Sequence, residues 1–430
     1  MCGAKRLVSV CQILAFLTFL VFVQTRSEQR ISYHGDQVLQ VTPKTKEDVE
    51  FLENLLHNDS FKLDFWTHPS LPTKPVDIHV RRQNLRKFKQ LLKSKTISFR
   101  VKTRNLQRLI NGERTRSRSA VPFDAAFHSY YQIVHEMKRL EKINENLVKV
   151  FTLGKTYENR TMYGIKISSN ITTSNKSVMF LNCGIHAREW ISISTCMYIA
   201  RALVRGSSEN GSVADLVDKM EWIIVPVVNV DGYNYARTTN RLWRKNRSPN
   251  GPPNSTECVG TDLNRNFNIK WAMTGAHYGK PCSPIYPGSH PFSEPETFNL
   301  ARYMYKIRNR IKGYIDFHSY GQLWMSAWGF TRYYPPTYNT NYKAMIRIVR
   351  AIYNTSGTNY HFGPAAIAIY KTSGDATDWV YGILGVTHSY GVELPPSIFT
   401  RGGFVLPPNY IQPVGRETFA GLKALAYYLV

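Results

Sequence analysis

Beyond an N-terminal run, the sequence lacks any apolar stretch long enough to cross a membrane. That run extends over residues 7–23, follows Lys5 and Arg6, and gives way to polar residues. A short positive end before an apolar centre of this length is typical of a secretory signal peptide, with a retained signal anchor as the alternative. We therefore expect residues 1–25 to be a signal peptide, the protein to be secreted, and the remainder to show no stable membrane insertion.

Cysteine is scarce, with 6 residues in a chain of 430. Cys2 and Cys11 fall within the predicted signal peptide, so four cysteines are left in the secreted part. An even remainder indicates two disulfides, although four cysteines allow three pairings. These cysteines are Cys183, Cys196, Cys258 and Cys282. Sequons for N-glycosylation support secretion, although such tripeptides also arise by chance; they begin at Asn58, Asn159, Asn170, Asn175, Asn210, Asn246, Asn254 and Asn354.

Acidic residues are nearly missing from one segment of this basic chain, whose formal net charge is +25. Between Arg81 and Arg118 the sequence holds 14 Lys or Arg and a single acid, Glu113. Charge concentrated in one stretch of a secreted chain does not fit a nucleic-acid footprint, so we expect no nucleic-acid partner. Binding to an acidic polysaccharide or another anionic partner stays open, and a solvated basic face is the plainer alternative.

Residues 28–110 predict a small α+β domain. The segments DQVLQV, VDIHVR and ISFRVK read as strands, and TKEDVEFLENLL and RQNLRKFKQLLKS have helical spacing. Residues 111–118 follow as a basic linker in which Arg114, Arg116 and Arg118 stand at every second position. Exposed segments of this kind are preferred sites of proteolysis, and a trypsin-like protease would cut there.

Residues 119–430 predict one large α/β domain. SVMFLNCGI and MEWIIVPVVNVDGY are continuous apolar runs typical of buried parallel strands, and GYIDFHSYGQLWMSAW and THSYGVEL add further strands. Helical stretches lie between them: WISISTCMYIARALV, EPETFNLARYMYKIRNRIK and TNYKAMIRIVRAIYNT.

The stretch CGIHAREW places His186 three residues before Glu189, just beyond the end of a predicted strand. The carboxyl ends of strands are where α/β sheets hold their sites, so the pair is a candidate for metal binding. A buried histidine beside an ordinary surface glutamate is the alternative.

Six motifs, in this order, resemble the zinc carboxypeptidases of the pancreatic A/B type: CGIHAREW, VVNVDGY, RLWRKNRS, GTDLNRNF, IDFHSYGQ and VEL. The resemblance covers a signal, a small pro-domain, a basic activation linker and a catalytic domain in the family's order. It implies a mixed, mostly parallel sheet flanked by helices, one Zn²⁺ per chain, and a zymogen cut near Arg114–Arg118. A monomer is the family's usual state.

The resemblance implies that His186, Glu189 and His318 bind zinc. Two histidines and one carboxylate leave a fourth position for water, which distinguishes a catalytic zinc site from a structural one. From the residues alone the third ligand is open, since HSY also occurs at His128 and His388. The resemblance further implies that Asp262 orients the first histidine. It also implies two disulfide pairings, Cys183–Cys196 and Cys258–Cys282.

Two catalytic roles follow from the same resemblance. Glu393 corresponds to the general base that moves a proton from water to the leaving amine. Arg244 would polarise the scissile carbonyl and hold the developing oxyanion.

Substrate-binding roles also follow from the resemblance. Asn264 and Arg265 would grip the substrate's terminal carboxylate, which suits the planar paired donors of arginine. Tyr370 would close over the C-terminal residue. Arg188 and Tyr320 would touch the peptide further upstream, although a solvated arginine at a helix start is the alternative for Arg188.

The segment VELPPSIFTRGGFVLPP departs from the family, because Pro395 and Pro396 replace an expected Arg-Asp pair. Prolines stiffen the backbone and remove amide donors, so the loop's shape is open, while Phe404 matches a pocket-wall phenylalanine. We interpret the departure as altered specificity or stability rather than lost catalysis.

Three further residues bear on the specificity pocket. Thr377 stands where relatives carry either an apolar residue or an aspartate, and it favours neither class. Asp375 could reach the pocket and Asp316 is expected near its floor, where a buried acid would favour a cationic side chain. The alternative is that Asp375 points to solvent and Asp316 caps a backbone amide, which leaves an A-like pocket.

The leading hypothesis is a secreted, zinc-dependent exopeptidase that removes C-terminal residues of peptides and proteins, with mixed specificity leaning to basic C-termini. An A-like carboxypeptidase for aromatic or aliphatic C-termini is the alternative. A zinc amidase or deacylase would not need the Asn264/Arg265 clamp or Tyr370. A non-catalytic binding protein predicts lost ligands or a lost base, and none is lost.

Overall fold

The computed structural model describes residues 29–57, 61–113, 122–172, 175–207, 211–250 and 257–430. The predicted signal peptide and the arginines at 114, 116 and 118 lie outside these ranges. Within them, no helix is both long enough and apolar enough to cross a membrane.

The N-terminal domain is a four-stranded antiparallel sheet in the order β2-β3-β1-β4. Its strands are β1 Gln37–Thr42, β2 Asp64–Phe65, β3 Val76–Val80 and β4 Ser98–Thr103. Its helices are α1 Lys46–His57, α2 Leu85–Ser94 and α3 Leu106–Gly112, with a 3₁₀ turn at Arg82–Asn84. The α+β composition expected for this region is therefore present.

Alternation along β1 gives this small sheet two different faces. Leu39 and Val41 pack with Phe88 and Leu92 of α2 in one apolar core. Val38, which precedes Leu39, faces the other way, into a cluster that also contains residues of the large domain. Successive side chains of a strand point to opposite faces, so one face carries helices and the other carries the second domain.

The helix at the end of the small domain runs past residue 110, where its end was predicted. Helix α3 continues to Gly112, and Glu113 is buried with 3% of its surface exposed. Apolar side chains at Leu106 and Ile110 hold this helix against the large domain, which the charge pattern did not reveal.

The large domain contains an eight-stranded sheet in the order β11-β10-β12-β9-β7-β8-β6-β5. The strands are β5 Val148–Lys155, β6 Thr161–Ile167, β7 Ser177–Cys183, β8 Met220–Val225, β9 Ile311–Ser319, β10 Leu323–Ser326, β11 His361–Pro364 and β12 His388–Leu394. The central strands β12, β9, β7 and β8 are parallel, and β5, β6 and β10 add antiparallel pairs. The mixed, mostly parallel sheet is confirmed.

Helices connect and cover these strands. They are α4 Tyr130–Ile143, α5 Trp190–Gly206, α6 Ser212–Lys219, α7 Val230–Thr238, α8 Pro295–Lys306, α9 Tyr338–Ser356, α10 Ala365–Ala368, α11 Ala376–Gly382 and α12 Ile411–Leu429. Strand β7 is buried along nearly its whole length, as a strand covered on both faces must be. Both expected disulfides, Cys183–Cys196 and Cys258–Cys282, are present.

The parallel strands bring the candidate site together. Strands β7, β9 and β12 run in the same direction, and Glu393 in β12 lies opposite His318 in β9. Because parallel strands end at a common edge, the residues that follow β7 lie beside these two.

Candidate zinc site and substrate cleft

Three ligand atoms converge at the sheet edge. The Nδ1 atoms of His186 and His318 lie 3.1 Å apart, and the two Glu189 carboxylate oxygens lie 2.9 Å and 3.2 Å from them. Among the described residues, these three form the group of histidine, cysteine or acid side chains that could hold a metal ion. His128 and His388, the other candidates, instead contact the Phe123 carbonyl and the Tyr390 hydroxyl.

The outer nitrogen of each histidine contacts an aspartate. His186 Nε2 lies 3.0 Å from Asp262 Oδ1, and His318 Nε2 lies 2.8 Å from Asp316 Oδ2. Protons held on the two Nε2 atoms leave both Nδ1 lone pairs facing each other, an arrangement that a shared cation stabilises. The donor set therefore fits a zinc ion.

Asp316 corrects one expectation. We expected it near the floor of the specificity pocket, or on a backbone amide. Its Oδ1 instead accepts from Asn182 Nδ2 at 2.6 Å, its Oδ2 faces His318, and it does not line the cleft. The reason is register: Asp316 lies opposite Asn182 in the next parallel strand, two residues before the histidine that it holds.

Arg244 lies beside the ligand cluster. Its Nε and Nη2 donate to Asp262 Oδ2 at 3.1 Å and 2.9 Å, and its Nη1 lies 3.9 Å from Glu189. Burial alone would raise the pKa of Asp262, but Arg244 and then His186 hold that pKa well below its usual value. The arginine is thus fixed at the cleft wall by a carboxylate that stays charged.

Glu393 lines the same cleft without a hydrogen-bond partner for one oxygen. Its Oε2 is buried and unpaired, and burial is the main cause that raises the pKa of this carboxyl group. A carboxylate kept beside a metal site without internal partners is available to a water molecule or a substrate.

The proposed carboxylate clamp is held rigidly. Arg265 donates from Nε to the Gly275 carbonyl at 2.8 Å and from Nη2 to the Tyr370 hydroxyl at 3.2 Å. Asn264 Oδ1 accepts from the Ala376 amide at 2.9 Å. These three side chains line the cleft on the side of helix α11.

The predicted specificity pocket combines small residues with buried polar atoms. Asp375 is the N-cap of α11, with Oδ1 accepting from the Asp378 amide at 2.9 Å. Its Oδ2 is buried and unpaired, and the neighbouring Thr372 Oγ1 is unpaired as well. Burial is the main cause that raises the pKa of Asp375. Thr377 and Gly391 also line this part of the cleft. The cleft as a whole has a cavity volume of about 810 Å³.

The N-terminal domain covers the cleft. Trp66, Thr67, His68 and Lys74 contribute to its lining. The imidazole of His68 stacks on Tyr370 with ring centroids 4.6 Å apart. Lys74 donates to the carbonyl of Ile369 at 3.2 Å, beside the tyrosine.

Acids of the N-terminal domain bind the two residues expected to contact upstream substrate. Arg188 donates to Asp64 at 2.8 Å and is 4% exposed, so the alternative of a solvated arginine is wrong. Tyr320 donates its hydroxyl to Asp77 at 2.5 Å. Phe404 packs edge-on against Tyr320, and the Arg188 guanidinium lies 4.0 Å from its ring centroid.

The loop that carries Pro395 and Pro396 is also bound by the N-terminal domain. Lys102 Nζ donates to the Ile398 carbonyl at 2.7 Å, and Gln40 Nε2 donates to the same oxygen at 2.8 Å. Arg100 reaches the next carbonyl, that of Phe399, at 3.3 Å.

A buried ion pair lies at the C-terminal end of the N-terminal domain. Glu113 accepts two hydrogen bonds from Arg241, both 2.6 Å long. Sequence reasoning missed this pair and the acids Asp64 and Asp77, because no motif identifies a residue whose partner belongs to another domain. The available signal for Glu113 was that it is the single acid in the basic segment between Arg81 and Arg118.

Comparison with known proteins adds the family. A profile described as zinc carboxypeptidase matches residues 133–421. The chain belongs to the zinc carboxypeptidase family. A second profile, described as carboxypeptidase activation peptide, matches residues 39–113. The protein is therefore a metallocarboxypeptidase of the A/B type with an activation peptide, and its family implies a catalytic Zn²⁺.

Individual relatives support this assignment over most of the metallocarboxypeptidase. Carboxypeptidase A4 of Mus musculus is 35% identical, with 92% of this chain and 94% of that protein covered. Zinc carboxypeptidase A 1 of Anopheles gambiae is 38% identical, over 81% of this chain and 79% of that protein. The crystal structure of thrombin activatable fibrinolysis inhibitor superposes with a TM-score of 0.84 at 30% identity, covering 92% and 99% of the two chains.

Proposed function

We propose that this metallocarboxypeptidase is secreted as a zymogen, is activated by cleavage near Arg114–Arg118, and removes C-terminal residues with mixed specificity that leans to Lys and Arg. The observation that carries the specificity is the unpaired, buried Asp375 Oδ2 in the cleft. An unpaired buried carboxylate oxygen is costly, and a cationic side chain of the substrate would compensate for it.

His186, Glu189 and His318 would hold the zinc, with Asp262 and Asp316 orienting the two histidines. When bound, zinc supplies a Lewis acid that polarises the scissile carbonyl and activates water. Glu393 would take the proton from the attacking water and return it to the leaving amine. Its unpaired Oε2 supports this role.

Asn264 and Arg265 would hold the terminal carboxylate of the substrate, and Arg244 would stabilise the oxyanion. Arg244 suits this role because Asp262 fixes its guanidinium at the cleft wall. Tyr370, already beside Arg265, would cover the bound residue once His68 leaves it. Arg188 and Tyr320 would contact upstream residues after losing Asp64 and Asp77.

A neutral, A-like pocket is the second candidate. It is favoured by Thr377, by Met325 and Gly391 in the lining, and by the use of Asp375 Oδ1 as a helix cap. In that case the substrate would bind through apolar contacts, and Asp375 would serve only helix α11.

The test is a panel of matched peptides ending in Phe, Leu, Lys, Arg or Glu, given to the activated enzyme and to its Asp375→Asn variant. Asparagine also caps helices, so the variant should fold. We expect kcat/KM for Lys and Arg to fall about 10- to 100-fold, the value of one hydrogen bond to a charged group, with little change for Phe. The control Asp218→Asn, at an exposed site, should change none of them. Release of Phe and Leu alone by the unmodified enzyme would favour the A-like pocket.

A further inference from the structure

The outer layer of the activation domain carries a basic helix. The small sheet turns one face to the catalytic domain and covers the other with α1 and α2. Within α2, Phe88 and Leu92 are buried against the sheet, so the opposite side of the helix faces solvent, away from the catalytic cleft.

Four cations, one just before this helix and three within it, share one side. Arg82, in the preceding 3₁₀ turn, and Arg86, Lys89 and Lys93 follow one another at intervals of four, three and four residues. Residues at these intervals are neighbours on a helix surface. We call these four residues the α2 basic face.

Within the described residues, one carboxylate contact to this face is a backbone one: Asp36 Oδ1 accepts from the Arg82 amide at 2.9 Å, and the side chains of the face are left without an acidic partner. No acid occurs between Asp77 and Glu113, and no residue of the α2 basic face forms an ion pair within the described parts of the chain. Lys89 donates only to the side-chain oxygen of Gln37, at 2.7 Å. Like charges at i,i+4 spacing destabilise a helix, so the array lowers the stability of the domain unless an external anion binds it.

The acidic helix α1 limits the shape of such a ligand. Glu47, Asp48 and Glu50 lie on this helix, which covers the same side of the sheet. A broad anionic surface would meet both helices and be repelled by α1. A narrow, linear polyanion can follow α2 alone.

The chemistry of the face selects among polyanions. The one aromatic side chain of α2, Phe88, is buried, so no ring is available to stack on nucleic-acid bases. No large apolar side chain of α2 is exposed for insertion into a lipid surface. We propose that the α2 basic face binds a linear anionic polysaccharide, carrying sulfate or carboxylate groups, and thereby anchors the zymogen.

The position of the face has a regulatory consequence. It lies N-terminal to the segment near Arg114–Arg118, on the domain that closes the cleft. Cleavage in the segment near Arg114–Arg118, followed by dissociation of the activation domain, would separate the catalytic domain from this anchor. Activation would therefore also release the enzyme from the polysaccharide.

The test measures binding of the intact zymogen to immobilised heparin at several salt concentrations. A triple variant, Arg82→Gln, Arg86→Gln and Lys93→Gln, places a good helix former at three exposed positions and removes three charges. We expect about tenfold weaker binding, as the loss of three exposed charge pairs implies, and a smaller salt dependence. The matched control removes three exposed cations from the catalytic domain, Lys306→Gln, Lys343→Gln and Arg350→Gln, and should bind like the unmodified zymogen.

Two comparisons complete the test. The cleaved catalytic domain, freed of the activation domain, should bind no better than the triple variant. An equal loss of heparin affinity in both triple variants, or unchanged heparin affinity in the α2 variant, would overturn the proposal. Binding to single-stranded DNA or to phosphatidylserine vesicles as tight as binding to heparin would overturn the assignment to a polysaccharide.

Discussion

At the scale of single residues, we expect Asp316 to determine how His318 would be presented to a metal ion. Its Oδ2 lies 2.8 Å from Nε2, which directs Nδ1 toward His186 and Glu189. We expect Asp316→Asn to weaken zinc binding about 10- to 100-fold, the usual effect of losing an outer carboxylate. Competition with a chromophoric chelator measures this. Asp218→Asn, at an exposed site, is the control, and unchanged zinc affinity in Asp316→Asn would contradict the assignment.

Glu393 is expected to act in proton transfer rather than in metal binding. Glu393→Gln should lower kcat by roughly 10²- to 10⁴-fold, because an amide cannot accept the proton from water. Zinc content, measured by atomic spectroscopy on the same sample, should stay at one ion per chain. Loss of the metal along with activity would instead place Glu393 among the ligands.

His79 makes the stability of the activation domain depend on pH. Burial lowers the pKa of this histidine, but contacts with Asp36 at 2.9 Å and with Asp64 outweigh burial and raise it. A raised pKa in the folded state adds stability that is complete below the unfolded value near 6.5 and is lost as pH rises through the folded value. The melting temperature should therefore differ more between the protein and His79→Gln at about pH 5.5 than at about pH 8.5. An equal difference in melting temperature at the two pH values would contradict this role of His79.

The residues that could be predicted from the sequence are those that stand in local motifs. His186, Glu189, His318 and Glu393 stand in recognisable segments, and the structure brings them to one sheet edge. The prediction that Asp316 lies at the pocket floor was wrong. Its position two residues before a ligand does not tell which neighbouring strand the Asp316 side chain contacts.

At the scale of elements, the loop of residues 395–403 accepts several hydrogen bonds from the activation domain. Lys102, whose ammonium also contacts Asp77, donates to the Ile398 carbonyl. Lys102→Met should weaken the binding of the cleaved activation domain to the catalytic domain about 10- to 100-fold, the value of a hydrogen bond to a charged group.

The measurement is the rate at which activity toward a small peptide appears after cleavage of the linker. Lys89→Met, in the same domain but on its outer side, is the matched control and should leave that rate unchanged. A rate for Lys102→Met equal to that of the unmodified protein would show that the Ile398 contact does not hold the domain.

Element boundaries were less predictable than element types. The apolar segment of residues 220–233 was interpreted as strand, yet β8 ends at Val225 and α7 begins at Val230. Asn229 caps that helix by accepting from the Gly232 amide, a short signal inside a run whose apolar character continues on both sides.

At the scale of the whole molecule, the activation domain covers the cleft through contacts with the catalytic domain, three of them to residues proposed to bind substrate. Asp64 binds Arg188, Asp77 binds Tyr320, His68 covers Tyr370 and Glu113 binds Arg241. The domain order was predictable from motif order, but the docking was not, because interface pairs depend on how two separate surfaces meet.

Cleavage of the zymogen, combined with control of zinc, tests the central claim most directly. The intact protein and protein cut with trypsin would be given a peptide with a free C-terminus, with a zinc chelator, without it, and after zinc is restored. We predict little release of the terminal residue by the intact protein, rapid release after cleavage, loss with chelator and recovery with zinc. Equal activity before and after cleavage, or activity that survives complete removal of zinc, would contradict the account.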